Sequence, residues 1–153
     1  MRISLTLHLP RDEVTVPVTR HVCRNALRGL GVVDDVVSDI EIALTEACTN
    51  VVHHAGPGDE YEIGVDINPE ACVIRVVDTG RGFDPTSPPS VAGQGDAGAE
   101  RGRGIQLMQA LVDRVHFVTK DENGTVVHLE KRLAFPPQAP LQRLADSGRR
   151  STG

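Results

Sequence analysis

The sequence predicts an α+β fold: a two-layer sandwich in which a mixed, mostly antiparallel sheet carries its helices on one face. Three observations predict it. Apolar and polar residues alternate over several short segments, as in half-buried strands. Apolar residues recur at three- and four-residue spacing over longer segments, as in helices that bury one stripe. The strand segments come in pairs joined by short turns instead of alternating one for one with helices, which argues against a doubly wound parallel sheet.

Ile3, Leu5, Leu7 and Leu9 alternate with polar residues and predict a first strand, stopped at Pro10. Pro17 suits the first turn of a helix capped near Thr15 or Val16, and Val18, Val22, Ala26 and Leu27 continue it to the break at Gly29–Gly31. Asp34 or Asp35 can cap a second helix. Its core stripe is Val37, Ile40, Leu44, Ala47 and Val51, and it runs to about His54, before Gly56-Pro57-Gly58. Two strands follow, roughly Glu60–Asn68 and Cys72–Asp78, turned at Asn68-Pro69-Glu70. The second is apolar at nearly every position apart from Arg75, which suits a central place in the sheet. Asp84 to Arg101 holds prolines and glycines without periodicity and reads as a long loop, a lid over about residues 84–101. A helix is expected from Ile105, with Met108, Leu111 and Val112 on its apolar side. Two strands, Arg114–Lys120 and Thr125–Leu133, flank a turn at Glu122-Asn123-Gly124. One folded domain over residues 1–133 and a disordered tail over 134–153 complete the expected organisation.

Composition narrows the function. At 153 residues the chain can bury a real core, yet it has only four aromatic residues, so Val, Leu, Ile and Ala must build that core. A net charge of −5 and the lack of a basic stripe argue against direct nucleic-acid binding. Cys23, Cys48 and Cys72 are odd in number and form no C-x-x-C pair, so they read as small buried hydrophobes in a reducing compartment. The opening residues are too short in apolar run for a signal segment, and no run approaches the ~18 residues of a membrane span. A cytoplasmic protein with no membrane partner is the expectation.

Three segments carry the chemistry. In Glu46-Ala47-Cys48-Thr49-Asn50 a carboxylate and a carboxamide stand one helical turn apart and share a face, with Asp39 and His53 or His54 near the same side. The Asn50 oxygen suits Mg²⁺, which takes oxygen ligands and keeps some positions for phosphate. Glu46 could orient a hydroxyl or a water for attack on a γ-phosphate. The pair is equally what a solvated polar helix face looks like, since E-x-x-x-N is common. Asp78 ends an apolar strand, where a carboxylate needs hydrogen-bond donors such as an adenine amine, and Gly80 and Gly82 let the chain approach a base. A plain strand-ending turn is the competing reading. Gly102-Arg103-Gly104 leads into the expected helix, whose N-terminal N–H groups would suit phosphate, with Arg101 or Arg103 adding charge. A loop hinge and helix cap is the alternative. Neither the P-loop pattern nor a strand leading directly into G-x-G-x-x-G occurs, which disfavours those nucleotide folds.

Taken together and in this order, the segments resemble those of the GHKL ATPase superfamily, whose nucleotide module is the Bergerat fold. Glu46 to Asn50 is similar to its N box, Asp78 to Gly82 to its first glycine box, Gly102 to Gly104 to its second, and Gly124-Thr125 to its late threonine. The resemblance extends over about residues 3–133. Glu46-Ala47-x-Thr49-Asn50 with His54-Ala55, and Gly102-Arg103-Gly104-Ile105-x-Leu107-Met108 with Leu111-Val112-Asp113, resemble the anti-sigma-factor serine kinase group in particular. The resemblance implies a kinase domain that binds ATP and Mg²⁺ and phosphorylates a serine on a small anti-sigma-factor antagonist. It also implies a sigma factor held inactive by partner switching, and homodimer formation. Glu46 would be the general base, Asn50 the Mg²⁺ ligand and Asp78 the adenine acceptor. Gly80, Gly82, Arg101, Gly102, Arg103, Gly104, Ile105 and Thr125 would complete the ATP site. A non-catalytic ATP-binding regulatory module, or an activator of a partner enzyme, is the alternative the residues leave open. An ATPase that turns over in water is the third.

Overall fold

A computed structural model describes the backbone of residues 1–54, 60–78, 95–120, 124–140, 143 and 146–148, and the side chains of these residues except 54, 95–102, 118–120 and 124–125. The elements are β1 (Ile3–Pro10), α1 (Thr15–Gly29), α2 (Asp34–His54), β2 (Glu60–Ile67), β3 (Ala71–Asp78), α3 (Gly95–Leu111), β4 (Arg114–Lys120) and β5 (Gly124–Arg132). The strands form one sheet in the order β1-β2-β3-β5-β4, so β3 is central as its apolar run predicts. All four described pairings are antiparallel, in keeping with the mostly antiparallel sheet expected. The reason is topological: α3 carries the chain from β3 to β4, and β5 then inserts between those two instead of β4 pairing with β3 directly.

The strand alternation sets the layers. Tyr61, Ile63, Val65 and Ile67 of β2, Cys72, Ile74 and Val76 of β3, and Val127 and Leu129 of β5 are buried on one face. Ile3, Leu5, Leu7 and Leu9 extend that face to the β1 edge. The stripe predicted for α2 is buried in full: Val37, Ile40, Leu44, Ala47 and Val51 lie on the sheet. Each of its Val, Ile and Leu side chains contributes about 1.5–3 kcal/mol on burial. Cys23 and Leu27 of α1 and Met108 of α3 close the same core. On the opposite face Ser4, Thr6, His8 and Arg75 are exposed.

Helix α1 ends in a capped turn that fixes where α2 starts. The Gly31 N–H donates to Arg28 O at 2.9 Å and the Val32 N–H to Leu27 O at 3.1 Å, with Gly31 at φ +86°. This double bond pattern needs a residue in the left-handed region, which favours glycine. Leu27 and Val32 are both buried, the apolar contact that accompanies such a cap. A Cβ on Gly31 would also lie 2.7 Å from Cβ of Ala139. Ala139 is itself buried, so the segment expected to be disordered from residue 134 is packed against the α1–α2 turn at its start. The Val33 N–H donates to Ala134 O at 3.0 Å and holds the same segment.

The largest departure from expectation is the start of α3. The helix begins at Gly95, ten residues before the expected Ile105, and takes in the last part of the expected lid. All three prolines of that region, Pro85, Pro88 and Pro89, precede it, while Ala97, Ala99, Glu100, Arg101 and Arg103 are helix formers that outweigh the interleaved glycines. The remainder of the lid, residues 84–94, lies outside the described residues. At its other end α3 is pinned: Lys131 Nζ of β5 donates to Leu111 O at 2.8 Å and stands 3.3 Å from Asp39 Oδ2 of α2. No helix among the described residues is long and apolar enough to cross a membrane.

Candidate functional site

Helix α2 brings Glu46 and Asn50 to one face because they are one turn apart. That face meets α3. An ideal Cβ on Gly104 would lie 2.9 Å from Glu46 Oε2 and 3.6 Å from both Oδ1 and Nδ2 of Asn50. The first and third sequence segments therefore converge on one point. Gly104 stands within α3 and not at its N-terminus, so the helix-end phosphate cradle expected at Gly102–Gly104 is not formed in this conformation.

Asn50 is 3% exposed. Its Nδ2 is buried and has no hydrogen-bond partner among the described residues. Leaving such a donor unmatched costs about 1–3 kcal/mol, which a helix interior does not ordinarily carry without a reason. Glu46, one turn earlier, is only half-buried. A carboxamide facing a glycine, with a carboxylate beside it, fits an oxygen-ligated cation and a phosphate. The carboxamide can present its oxygen to the cation. Among the described residues there is no group of three or more His, Cys, Asp or Glu side chains that could hold a metal ion.

Asp78 ends β3 opposite Tyr61 in the register and is 1% exposed, on the helix-facing side with Cys72, Ile74 and Val76. A carboxylate so buried is an acceptor kept away from water, the setting in which a hydrogen bond from a ligand amine counts most. Its neighbour in the register is fixed from above: Tyr61 Oη and Thr15 Oγ1 of α1 are 2.6 Å apart. Burial pushes the Tyr61 phenol up, with Thr15 acting against the shift through that hydrogen bond.

The other sequence candidates divide. Arg103 is exposed, and Ile105 is half-buried and packs against the core. Arg101 and Gly102 lie in α3, and Thr125 lies opposite Thr119 in the β4–β5 register, but the side-chain surroundings of these three are outside the described residues. Gly80 and Gly82 lie wholly outside them. Asp39 is turned to Lys131, and His53 Nε2 stands 3.3 Å from Glu13 Oε1, so neither joins the Glu46/Asn50 pair. Cys48, between Glu46 and Asn50 in sequence, is fully buried, and burial pushes its thiol up. It is held as the neutral thiol and is no nucleophile. Sequence reasoning missed the close approach of Gly104 to Glu46. The signal for it was a glycine within a run of helix formers, with no proline between Pro89 and Pro136.

The fold is that of an ATPase module, and comparison with known proteins places it. The profile of the histidine kinase-like ATPase domain matches residues 9–131, and the chain belongs to that family. It is similar to the serine-protein kinase RsbW of Halalkalibacterium halodurans, with 31% identity over 85% of this chain and 83% of the relative. The serine-protein kinase RsbW of Bacillus pumilus is 30% identical over 84% of this chain and 85% of its own. Among solved structures, the RsbU and RsbW domains of a Mycobacterium tuberculosis protein superpose with a TM-score of 0.66 at 19% identity. That match spans 88% of this chain but only 33% of the other, and it speaks for the fold alone.

Proposed function

We propose that this chain is a serine protein kinase that uses Mg²⁺–ATP to phosphorylate a small antagonist protein, and that it holds a sigma factor inactive when the antagonist is phosphorylated. The observation that carries the reading is the Asn50 carboxamide, buried with a donor unmatched among the described residues, beside Glu46 and beneath Gly104. Relatives at about 30% identity named serine-protein kinase RsbW support the reaction class.

In this reading Asp78 accepts a hydrogen bond from the adenine amine and sets the base. Asn50 holds Mg²⁺ through its side-chain oxygen, and Gly80, Gly82, Gly102, Arg101 or Arg103, and Thr125 line the nucleotide. The cation supplies charge neutralisation at the phosphates. Glu46 accepts the proton of the acceptor serine hydroxyl as that oxygen bonds to the γ-phosphorus. The bond from the γ-phosphorus to the β–γ bridging oxygen breaks, and ADP leaves with the electron pair. General-base assistance of this kind contributes roughly 10²–10⁴-fold.

The test is transfer of labelled γ-phosphate to a candidate antagonist protein in the presence of Mg²⁺. Transfer by the wild-type chain, with loss of about a hundredfold or more in Glu46→Ala at retained ATP binding, is the expected result. ATP binding with no transfer, and Glu46→Ala indistinguishable from wild type, would replace the kinase by a regulatory module that uses ATP to set its conformation.

A further inference from the structure

We propose that Gly104 is a positioning residue for Glu46: it is glycine to leave the carboxylate of the base where it stands. The proposal rests on the reading of Glu46 as the base. Gly104 lies inside a 17-residue helix, where glycine is less favourable than alanine, so its presence needs a cause. Backbone conformation is not the cause. Among the described glycines only Gly31 has a positive φ.

Space is the cause, and the distances rank what a side chain would disturb. A Cβ on Gly104 would stand 2.9 Å from Glu46 Oε2, closer than carbon and oxygen tolerate without movement. The same Cβ would stand 3.6 Å from both polar atoms of the Asn50 carboxamide, an ordinary van der Waals separation. A methyl group on α3 therefore displaces the carboxylate and leaves the carboxamide. What gives way is the end of a flexible side chain, so the helix packing survives the change. Stability and activity are thereby set against each other at one position, as they often are at functional sites.

Gly104→Ala is the test, read in four ways. The melting temperature is expected to hold or rise. ATP affinity is expected to stay within about twofold, and the phosphotransfer rate to fall about tenfold or more, a loss in kcat and not in KM. In a Glu46→Asp background, whose carboxylate is shorter by one methylene, Gly104→Ala is expected to cost nothing further. In the ligand-free protein the Glu46 carboxyl ¹³C resonance is expected to move while the Asn50 side-chain amide resonances stay. A fall in ATP affinity that matches the fall in rate would overturn the proposal, because it would return Gly104 to phosphate contact. An equal loss in both backgrounds, or an unmoved Glu46 resonance, would overturn it as well. If Gly104→Ala does not fold, recovery of folding in Glu46→Ala supports the contact and failure in both backgrounds overturns it. The resonance needs no catalysis, so a wild-type chain that transfers no phosphate counts against the kinase reading and not against this one.

Discussion

The Tyr61 phenol donates to the Thr15 hydroxyl across the buried layer between β2 and α1, at 2.6 Å. The direction follows from a single proton: Thr15 Oγ1 already donates its own to Asp12 O, also at 2.6 Å, so it can only accept from Tyr61. This chain of bonds ties the entry of α1 to the strand facing Asp78. Tyr61→Phe removes one buried hydrogen bond and strands no donor, because Thr15 keeps its bond to Asp12. The expected loss is about 1 kcal/mol, seen as a lower denaturation midpoint at unchanged denaturant dependence.

Asn50 carries an opposite expectation. Its Nδ2 is buried without a partner among the described residues, so the folded state bears a desolvation cost that the proposed ligand offsets. Asn50→Leu, close in volume and better in a helix, removes that cost. The ligand-free variant should melt at or above the wild-type temperature, while nucleotide binding in the presence of Mg²⁺ falls about tenfold or more. Thermal melts with and without ATP and Mg²⁺ read both: the wild-type chain gains a shift on adding ligand and the variant loses it.

Asp78 bears on which base is taken. A carboxylate accepts from the adenine amine, whereas the guanine edge presents an oxygen there. Asp78→Asn gives the site a donor as well as an acceptor. A hydrogen bond to a charged group is worth about 1.5–3 kcal/mol, so the preference for ATP over GTP should fall by roughly ten- to hundredfold. Titration calorimetry with both nucleotides checks it, and an unchanged ratio would remove Asp78 from base recognition.

The sheet was legible in the sequence because its cause is local. Ile3 to Leu9 and Tyr61 to Ile67 alternate, and the alternation alone says which side chains enter the core. The stripe from Val37 to Val51 says the same of α2. Strand order was not legible, because nothing in residues 124–132 states that they insert between β3 and β4. The start of α3 was misplaced for a different reason. Gly95, Gly98, Gly102 and Gly104 suppress the periodic signal, whereas the packing of Ile105 and Met108 against the core and the Lys131 bond to Leu111 hold the helix from its far end. The site was half legible. Chain spacing put Glu46 beside Asn50, but the meeting of Gly104 with both depends on how closely two helices pack, which sequence does not express.

Glu41 gives a pH dependence with a definite sign. Arg24 of α1 holds it with two bonds: Nε donates to Oε2 at 3.0 Å and Nη2 to Oε1, with Arg20 Nε 3.5 Å from Oε1. The hydrogen bond from Arg24 holds the Glu41 carboxyl below the usual carboxylate range, with the charges of Arg24, Arg20 and Arg28 acting in the same direction against partial desolvation. A carboxyl depressed in the folded state binds its proton more readily in the unfolded chain, at about pH 4.3. Its stabilising effect is therefore complete above that value and is lost as pH falls through the folded value. Glu41→Gln should melt below wild type at pH 7, because two half-buried guanidinium groups lose their counter-charge. The gap should stay constant down to about pH 5 and narrow below about pH 4. Other carboxylates titrate alike in both proteins, so the difference between the two melting curves isolates Glu41. A gap that widens in acid would mean that the α1–α2 ion pair does not lower the Glu41 carboxyl.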